Sequence, residues 1–258
     1  MRASFVVAAA ALLALAGCTT GSSEPPQPVS PSREAPVALV YRGPTSCDGC
    51  PEAAAALLQA SDHGFEVVLV GPGEEMDVTA QALDDAALYV QPGGDGTVGR
   101  AMEVLGEDWS AAITEFVDDG GRYLGFCMGA YLAGSDPGVG LLSPGDTGRY
   151  IEAAGAEITT TDDAVISVLW EGERRLQFAQ DPAYIVPSGV AGEQILSTFD
   201  NGLANALMRP YGDGMVAVVG THPEADRTWY TDGLWEQDTD GLDRDAALQL
   251  LDAVMGTS

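Results

Sequence analysis

The stretch GRYLGFCMGAYLAG, residues 121–134, places one cysteine between two glycines, after an apolar run and before a helix-like run of small residues. RYLGF is typical of a buried strand and MGAYLAG of a helix, so Cys127 falls at a turn from strand to helix. One interpretation is a buried thiol that only packs, because free cysteine is among the most buried residue types. The alternative is a nucleophile, since Gly125 and Gly129 permit a sharp turn and a helix N-terminus favours the thiolate.

Strand-like and helix-like segments alternate through the first half of the chain, which predicts a parallel sheet with crossover helices. The strand-like segments before RYLGF are VALVY (37–41), FEVVLVG (65–71) and AALYVQPGG (86–94), and the helix-like segments are PEAAAALLQAS (51–61) and DWSAAITEFVDDGG (108–121).

The second half of the chain is less regular. Its short β-like runs, EITTT, AVISVLW, RRLQFAQ and EQILSTF, indicate antiparallel or edge strands, and they are followed by a buried-strand pattern, MVAVVG (215–220), and a closing amphipathic helix, RDAALQLLDAVM (244–255). No internal repeat is present, and the pattern indicates one domain.

The segment VAVVGTHPEAD could supply the base that a nucleophilic cysteine needs. His222 leaves a buried-strand pattern, and Glu224 follows two residues later, on the same side of an extended chain. A histidine in this position could deprotonate the thiol while the carboxylate fixes the imidazole. The alternative is a surface turn around His-Pro; the other histidine, His63, is interpreted as part of a turn at a helix end.

The segment QPGGDG (91–96) could stabilise a developing oxyanion at the end of the third strand. The N–H groups of Gly93 or Gly94, with the N–H of Met128 as the second donor, could point at the oxygen, because glycine allows a close approach. A simple turn is the alternative interpretation.

The motifs GFCMG and HPE, in this order, resemble the class I glutamine amidotransferase-like superfamily. Within it, LVYRGP, VQPGGD, GGRYLGFCMGAYLAG and GTHPE are most similar to the N-terminal amidotransferase-like domain of biotin-protein ligase, over nearly all of residues 37–225. FAQDPAY (178–184) matches a loop of that domain only in part, because Asp181 and Ala183 depart from its pattern.

This resemblance implies a flavodoxin-like three-layer α/β sandwich with a central, mostly parallel sheet. It also implies that Cys127 is the nucleophile, His222 the general base and acid, and Glu224 the carboxylate that orients the histidine. No cofactor is expected for such a site.

The first eighteen residues, MRASFVVAAAALLALAGC, have the pattern of an export signal. LAGC (15–18) resembles the bacterial lipobox, in which cleavage precedes the cysteine and its thiol carries lipid. A transmembrane helix is the alternative, but the apolar stretch is shorter than the roughly 18–20 residues that a span requires. We therefore expect a signal peptide (1–17), a lipid on Cys18, a disordered tether (18–36) and a folded domain (37–258), held at the outer face of the cell membrane.

Cys47 and Cys50 form a CxxC motif in the loop after the first strand. A structural disulfide, a redox pair and half of a metal site are the three interpretations. An exported protein favours the disulfide, and metal is the weakest because no second CxxC or nearby histidine completes four ligands.

Charge restricts the partners of this protein. The chain has 39 acidic residues against 11 Lys plus Arg, for a formal net charge of -28. This excess of negative charge argues against nucleic acid as a partner. The sequence thus predicts a thiol-dependent hydrolase of a small-molecule or peptide amide, with a non-catalytic binding module or a redox sensor on the same fold as alternatives.

Overall fold

A computed structural model describes residues 35–135, 137–143 and 145–256 of the chain. The predicted signal peptide, the lipidation site Cys18 and nearly all of the predicted tether lie outside these residues. The strands, in chain order, are β1 (Val37–Tyr41), β2 (Glu66–Val70), β3 (Ala86–Gln91), β4 (Arg122–Phe126), β5 (Thr147–Arg149), β6 (Ala164–Trp170), β7 (Glu173–Ala179), β8 (Ala183–Ile185), β9 (Gln194–Phe199), β10 (Ala204–Tyr211) and β11 (Gly214–Val219).

Five α-helices connect or cover these strands. They are α1 (Cys50–Gln59), α2 (Ala80–Leu83), α3 (Val98–Asp118), α4 (Met128–Leu132) and α5 (Arg244–Met255), and two short 3-10 helices lie at Tyr150–Glu152 and Arg227–Trp229. Thr97 caps α3, because its hydroxyl accepts a hydrogen bond from the Arg100 N–H, and Gly106 kinks this helix with a φ of 81°. Within the described ranges, no helix has the length and apolar content needed to cross a membrane.

The described strands form a mixed sheet of 11 strands in the order β2-β1-β3-β4-β11-β10-β9-β6-β7. In addition, β8 pairs with β10, and β5 pairs with β8. The strands β2, β1, β3, β4 and β11 pair in parallel, and we call this part the parallel half. The strands β5 to β10 pair antiparallel, and we call them the antiparallel half.

Side chains of the parallel strands alternate between the two faces of the sheet, which explains why helices cover both faces and the domain has three layers. In β1, Leu39 and Tyr41 face the core beneath α3, whereas Ala38 and Val40 face the core formed with α1 and α5. Burying one leucine or valine side chain contributes about 1.5–3 kcal/mol, so helices on both faces stabilise the sheet strongly. The predicted α/β fold class is confirmed, and its parallel strands are those of the parallel half.

In the antiparallel half, AVISVLW, RRLQFAQ and EQILSTF form β6, β7 and β9 as predicted, but one other prediction is wrong, and β5, β8 and β10 were not predicted. EITTT does not form a strand: the side chain of Glu157 accepts a hydrogen bond from the Ser167 N–H, and its backbone N–H donates to the Tyr150 hydroxyl. The longest strand, β10, was not predicted, because its sequence ANALMRPY carries polar residues at buried positions.

Candidate active site

Cys127 occupies a sharp turn between β4 and α4. Its φ of 46° and ψ of -101° are unusual for a non-glycine residue, and such a conformation costs of order 1–3 kcal/mol. The flanking glycines are required by space, since a β-carbon on Gly129 would overlap the Gln91 carbonyl and one on Gly125 would lie 2.6 Å from the Gly129 carbonyl carbon. The Cys127 N–H donates to the Val219 carbonyl at 2.8 Å, which fixes the turn beside the end of β11.

The thiol of Cys127 is free and mostly buried, with 7% of the residue exposed. Its Sγ lies 3.4 Å from the Gln180 carbonyl oxygen and donates a hydrogen bond to it. Gln180 follows β7, so the antiparallel half contributes a direct contact to the cysteine of the parallel half.

His222 and Glu224 are brought together immediately after β11. His222 Nδ1 lies 2.8 Å from Glu224 Oε1, and both side chains are buried. A carboxylate that accepts from Nδ1–H leaves Nε2 as the nitrogen available to exchange a proton with the thiol. The His222 N–H donates to the Phe178 carbonyl at 2.9 Å, which holds this turn against the end of β7.

The charges around His222 favour its protonated form. Burial opposes the positive charge, but the negative charge of Glu224 and its hydrogen bond to Nδ1 outweigh this penalty and raise the His222 pKa. Burial also raises the pKa of the nearby Asp163 carboxyl, although Gln180 Nε2 donates to it at 2.8 Å. The buried carboxylate on Nδ1 therefore favours the imidazolium form of His222.

Aromatic rings surround the imidazole of His222. Trp229 packs against it edge to face at 5.2 Å between ring centroids, and Phe178 does so at 6.0 Å. Tyr230 packs in turn against Phe178. Sequence reasoning did not assign Trp229 to the site, and the available signal was its position only seven residues after His222.

Gly93 lies next to His222, and Gly94 lies next to Met128 and lines the same cavity as Cys127. A β-carbon on Gly93 would stand 2.5 Å from His222 Cε1, and one on Gly94 would overlap the Thr45 carbonyl and stand 3.1 Å from Met128 Cγ. No backbone carbonyl of the described residues accepts a hydrogen bond from the N–H of Gly94 or Met128, so both donors are open to a ligand.

Cys47 and Cys50 form a disulfide with a Cα–Cα distance of 5.4 Å. In residues 35–135, 137–143 and 145–256, no group of three or more His, Cys, Asp or Glu side chains is placed to hold a metal ion. The CxxC motif thus forms a disulfide, which was the first of the three interpretations of its sequence. The disulfide lies beside Gly93.

A cavity of about 650 Å³ opens onto Cys127. Its lining includes Gly94, Met128, Tyr131, Arg149 and Asp181. Sequence reasoning did not find Arg149 or Tyr131.

Asp181 has a φ of 44° and is held in place by two contacts. Arg149 Nη2 donates to Asp181 Oδ2 at 2.7 Å, and the Tyr131 hydroxyl donates to the Asp181 carbonyl at 3.2 Å. The position at which FAQDPAY departs from the family pattern is therefore a strained turn that borders the cavity.

Comparisons with solved structures identify the fold. A glutamine amidotransferase from Thermotoga maritima has the same fold, with 14% identity, a TM-score of 0.57 and coverage of 86% of this chain and 99% of that chain. PurLQS from the same organism matches with 16% identity, a TM-score of 0.53 and coverage of 86% and 98%. The fold is that of class I glutamine amidotransferase-like proteins, and the resemblance carried by GFCMG and HPE is confirmed.

A family model matches the first part of the domain. Residues 37–137 match the family model described as biotin-protein ligase, N terminal. Among curated proteins, the cobyric acid synthases of Allorhizobium ampelinum and Rhizobium rhizogenes are 32% and 31% identical over 30% and 32% of this chain. These matches cover 14% and 19% of the two synthases, so this chain spans less than a fifth of their length.

Proposed function

We propose that this domain is a thiol-dependent amide hydrolase with Cys127, His222 and Glu224 as its catalytic triad. The observation that carries the proposal is the bond of 2.8 Å between His222 Nδ1 and a fully buried Glu224, beside a cysteine held on a strained turn. The names of the structural neighbours, which include a glutamine amidotransferase, support chemistry at an amide.

In the proposed reaction, the Cys127 thiolate attacks the amide carbonyl carbon and a C–S bond forms as the carbonyl electron pair moves onto oxygen. His222 then gives its Nε2 proton to the leaving amine as the C–N bond breaks, which leaves an acyl-thioester. Water, deprotonated by the same nitrogen, attacks the thioester carbonyl carbon; the C–S bond then breaks, Cys127 leaves as the thiolate, and the acid is released. Glu224 stabilises the imidazolium throughout and keeps its proton on Nδ1.

The N–H groups of Gly94 and Met128 would stabilise the oxyanion. Both lie at the cavity that opens onto Cys127, and neither donates to a backbone carbonyl of the described residues. Donors fixed by the fold before the reaction cost no reorganisation when the charge develops, and loss of one such donor typically costs about 10²–10³ in kcat.

The proposed setting is the outer face of a bacterial cell membrane, with a lipid on Cys18. The signal-like pattern and the LAGC motif support it. We propose a small-molecule or peptide amide as the substrate, since the net charge of -28 disfavours nucleic acid.

A binding module without turnover is the second candidate, and one contact favours it. The Cys127 thiol donates to the Gln180 carbonyl, and a carbonyl oxygen stabilises the neutral thiol rather than the thiolate. A ligand could then occupy the cavity without covalent chemistry.

Iodoacetamide labelling of Cys127 across pH separates these candidates. The wild-type protein should be alkylated rapidly at pH values well below 8.5, about where an ordinary thiol ionises, because His222 stabilises the thiolate. His222→Ala should shift the alkylation profile toward the ordinary thiol. His63→Ala is the matched control, because His63 is the other histidine of the chain and bonds to Asp252 instead.

Identical, ordinary profiles in the wild type and His222→Ala would reject the activated nucleophile. If the wild type is activated, a panel of glutamine, peptide and peptidoglycan-fragment amides tests turnover, and Cys127→Ser sets the background. An activated thiol without turnover of any amide would favour the binding module.

A further inference from the structure

The Cys47–Cys50 disulfide and the imidazole of His222 contact the same point of the chain. Gly93 lies between the disulfide and the imidazole. A β-carbon on Gly93 would lie 2.5 Å from His222 Cε1, 3.1 Å from Cys50 Sγ and 3.3 Å from Cys47 Sγ. Gly93 thus fills the narrow space between the two sulfur atoms and the ring. A structural disulfide elsewhere in the fold would have no such contact.

Backbone bonding fastens the CxxC loop to the same glycine. The Cys47 N–H donates to the Gly93 carbonyl at 3.1 Å, and the Cys50 N–H donates to the Cys47 carbonyl at 3.3 Å. Gly49, between the two cysteines, has a φ of 82° that favours glycine. The loop therefore has one tight conformation, closed by the disulfide and attached to Gly93.

Trp229 connects the CxxC loop to the imidazole by a second route. Its ring packs on His222, and its Nε1 would lie 3.7 Å from a β-carbon on Gly49. A displacement of the CxxC loop would therefore disturb both Gly93 and Trp229, and each of these two residues lies against the imidazole.

Reduction changes the space that the two sulfurs occupy beside Gly93. Two bonded sulfur atoms are about 2.0 Å apart, whereas nonbonded heavy atoms make their best contact at roughly 3.5–4.0 Å. Cys50 is 1% exposed, so its thiol stays buried, and the half-buried Cys47 has to move away from it. Because Gly93 lies against both sulfurs, their separation would change the packing on Gly93 and, through it, on His222.

We propose that the Cys47–Cys50 disulfide is a positioning group for the triad, which holds His222 through Gly93 so that the oxidised protein alone activates Cys127. This inference rests on the proposed function, since it assigns the regulation of the same nucleophile. Cys47 is half-buried, so a small dithiol can reach it: the S–S bond breaks, two thiols form, and the dithiol is oxidised to its own disulfide.

The test compares Cys127 alkylation in the full chain with and without the bond. Trypsin cuts after Arg42, Arg100, Arg122 and Arg149, so Cys127 lies on a different peptide from Cys47 and Cys50, and its labelling can be followed alone by mass spectrometry. We measure wild type, wild type reduced with dithiothreitol, and the double variant Cys47→Ser and Cys50→Ser. Both forms without the bond should be alkylated at least about fivefold more slowly at pH 7, with the half-maximal rate moved toward the pH of an ordinary thiol, about 8.5.

Leu251→Ala is the control for a loss of stability. It opens a cavity in the core cluster that α5 forms with α1 and the sheet, and this cluster includes none of the site residues, so the substitution should lower the melting temperature and leave the pH profile of Cys127 unchanged. If the serine variant does not fold, reduced wild type carries the same comparison, with its circular dichroism as the check.

A wild-type profile in both forms without the bond would overturn the positioning role and leave the triad intact. A wild type that already behaves as an ordinary thiol, unchanged by His222→Ala, would reject the triad and this inference together. The two failures are therefore distinguishable.

Discussion

The parallel and antiparallel halves of the sheet contribute to the site in different ways. The parallel half supplies the groups proposed for the chemistry, because β4 ends just before Cys127 and β11 ends just before His222 and Glu224. The antiparallel half supplies contacts that surround them: the Gln180 carbonyl on the thiol, the Phe178 carbonyl on the His222 N–H, and Arg149 with Asp181 at the cavity wall. Substitutions in the parallel half should therefore have large effects on the reactivity of the site, and those in the antiparallel half should have small ones.

The largest effect is expected from Glu224→Gln in the parallel half. A neutral amide cannot stabilise the imidazolium, so turnover of the fastest amide substrate should fall by roughly 10²–10⁴. Steady-state kcat measures it. Glu193→Gln is the matched control in the antiparallel half, because Glu193 is also a buried carboxylate, 5% exposed, that bonds to Ser188 and Gly189 instead. Equal losses in both variants would contradict the division between the two halves.

The next largest effect is expected on the free energy of unfolding, from a substitution of Asp243, the residue before α5. Burial, with the nearby charge of Asp240, raises the Asp243 pKa to about 7, and its Oδ2 has no hydrogen-bond partner in the described residues. An unfolded aspartate ionises near pH 4, so the favourable contribution of the neutral carboxyl is complete below about pH 4 and is lost as the pH rises through about 7.

Asp243→Asn should therefore be more stable than wild type at pH 8, by about 1–3 kcal/mol, and nearly equal to it at pH 4. Urea unfolding at the two pH values measures this. Asp245→Asn is the control of opposite sign, because the Arg175 guanidinium lowers the Asp245 pKa and the amide loses that ion pair. A gain for Asp245→Asn at pH 8 would contradict this assignment.

The smallest effect is expected from the cavity wall of the antiparallel half. Arg149→Met and Asp181→Asn each remove the ion pair that holds the turn beside Gln180, and a displaced Gln180 carbonyl should change the alkylation rate of Cys127 by roughly tenfold or less. Asparagine tolerates the positive φ of Asp181, so the backbone is kept.

The double variant should show no further change, because both substitutions remove the same contact. Arg174 lies on β7 and forms an exposed ion pair with Asp200. Arg174→Met breaks this pair and should leave the alkylation rate of Cys127 unchanged. Additive effects of Arg149→Met and Asp181→Asn would show that the two residues act separately.

Sequence patterns predicted the parallel half well and the antiparallel half only in part, for a physical reason: β6, β7 and β9 lie in predicted runs, whereas β5, β8 and β10 were not predicted. VALVY and MVAVVG are buried on both faces and therefore read as continuous apolar runs. In β10, Asn205 and Arg209 are buried with partners distant in the chain: Asn205 donates to Thr221 Oγ1 at 2.9 Å, and Arg209 to Asp146 Oδ2 at 3.1 Å. Such partners have no local pattern, so the strand resembles a surface segment.

The same distinction applies to the site. Cys127, His222 and Glu224 are recognisable because the turn glycines and the two-residue spacing from histidine to glutamate are local features. Gln180 is 53 residues from the thiol that it contacts, and Arg149 is 32 residues from Asp181. Contacts of this kind depend on how the antiparallel half folds back over the parallel half, which no short motif encodes.

The turn at Cys127 also bears on how this domain could change over evolutionary time. A glycine would adopt its φ of 46° without strain, so the native residue makes the fold less stable than a readily accessible alternative would. Drift toward stability alone would replace this cysteine before most other core positions. Relatives of this chain that have lost their chemistry should therefore be recognisable by a glycine at the elbow while the surrounding strands stay the same.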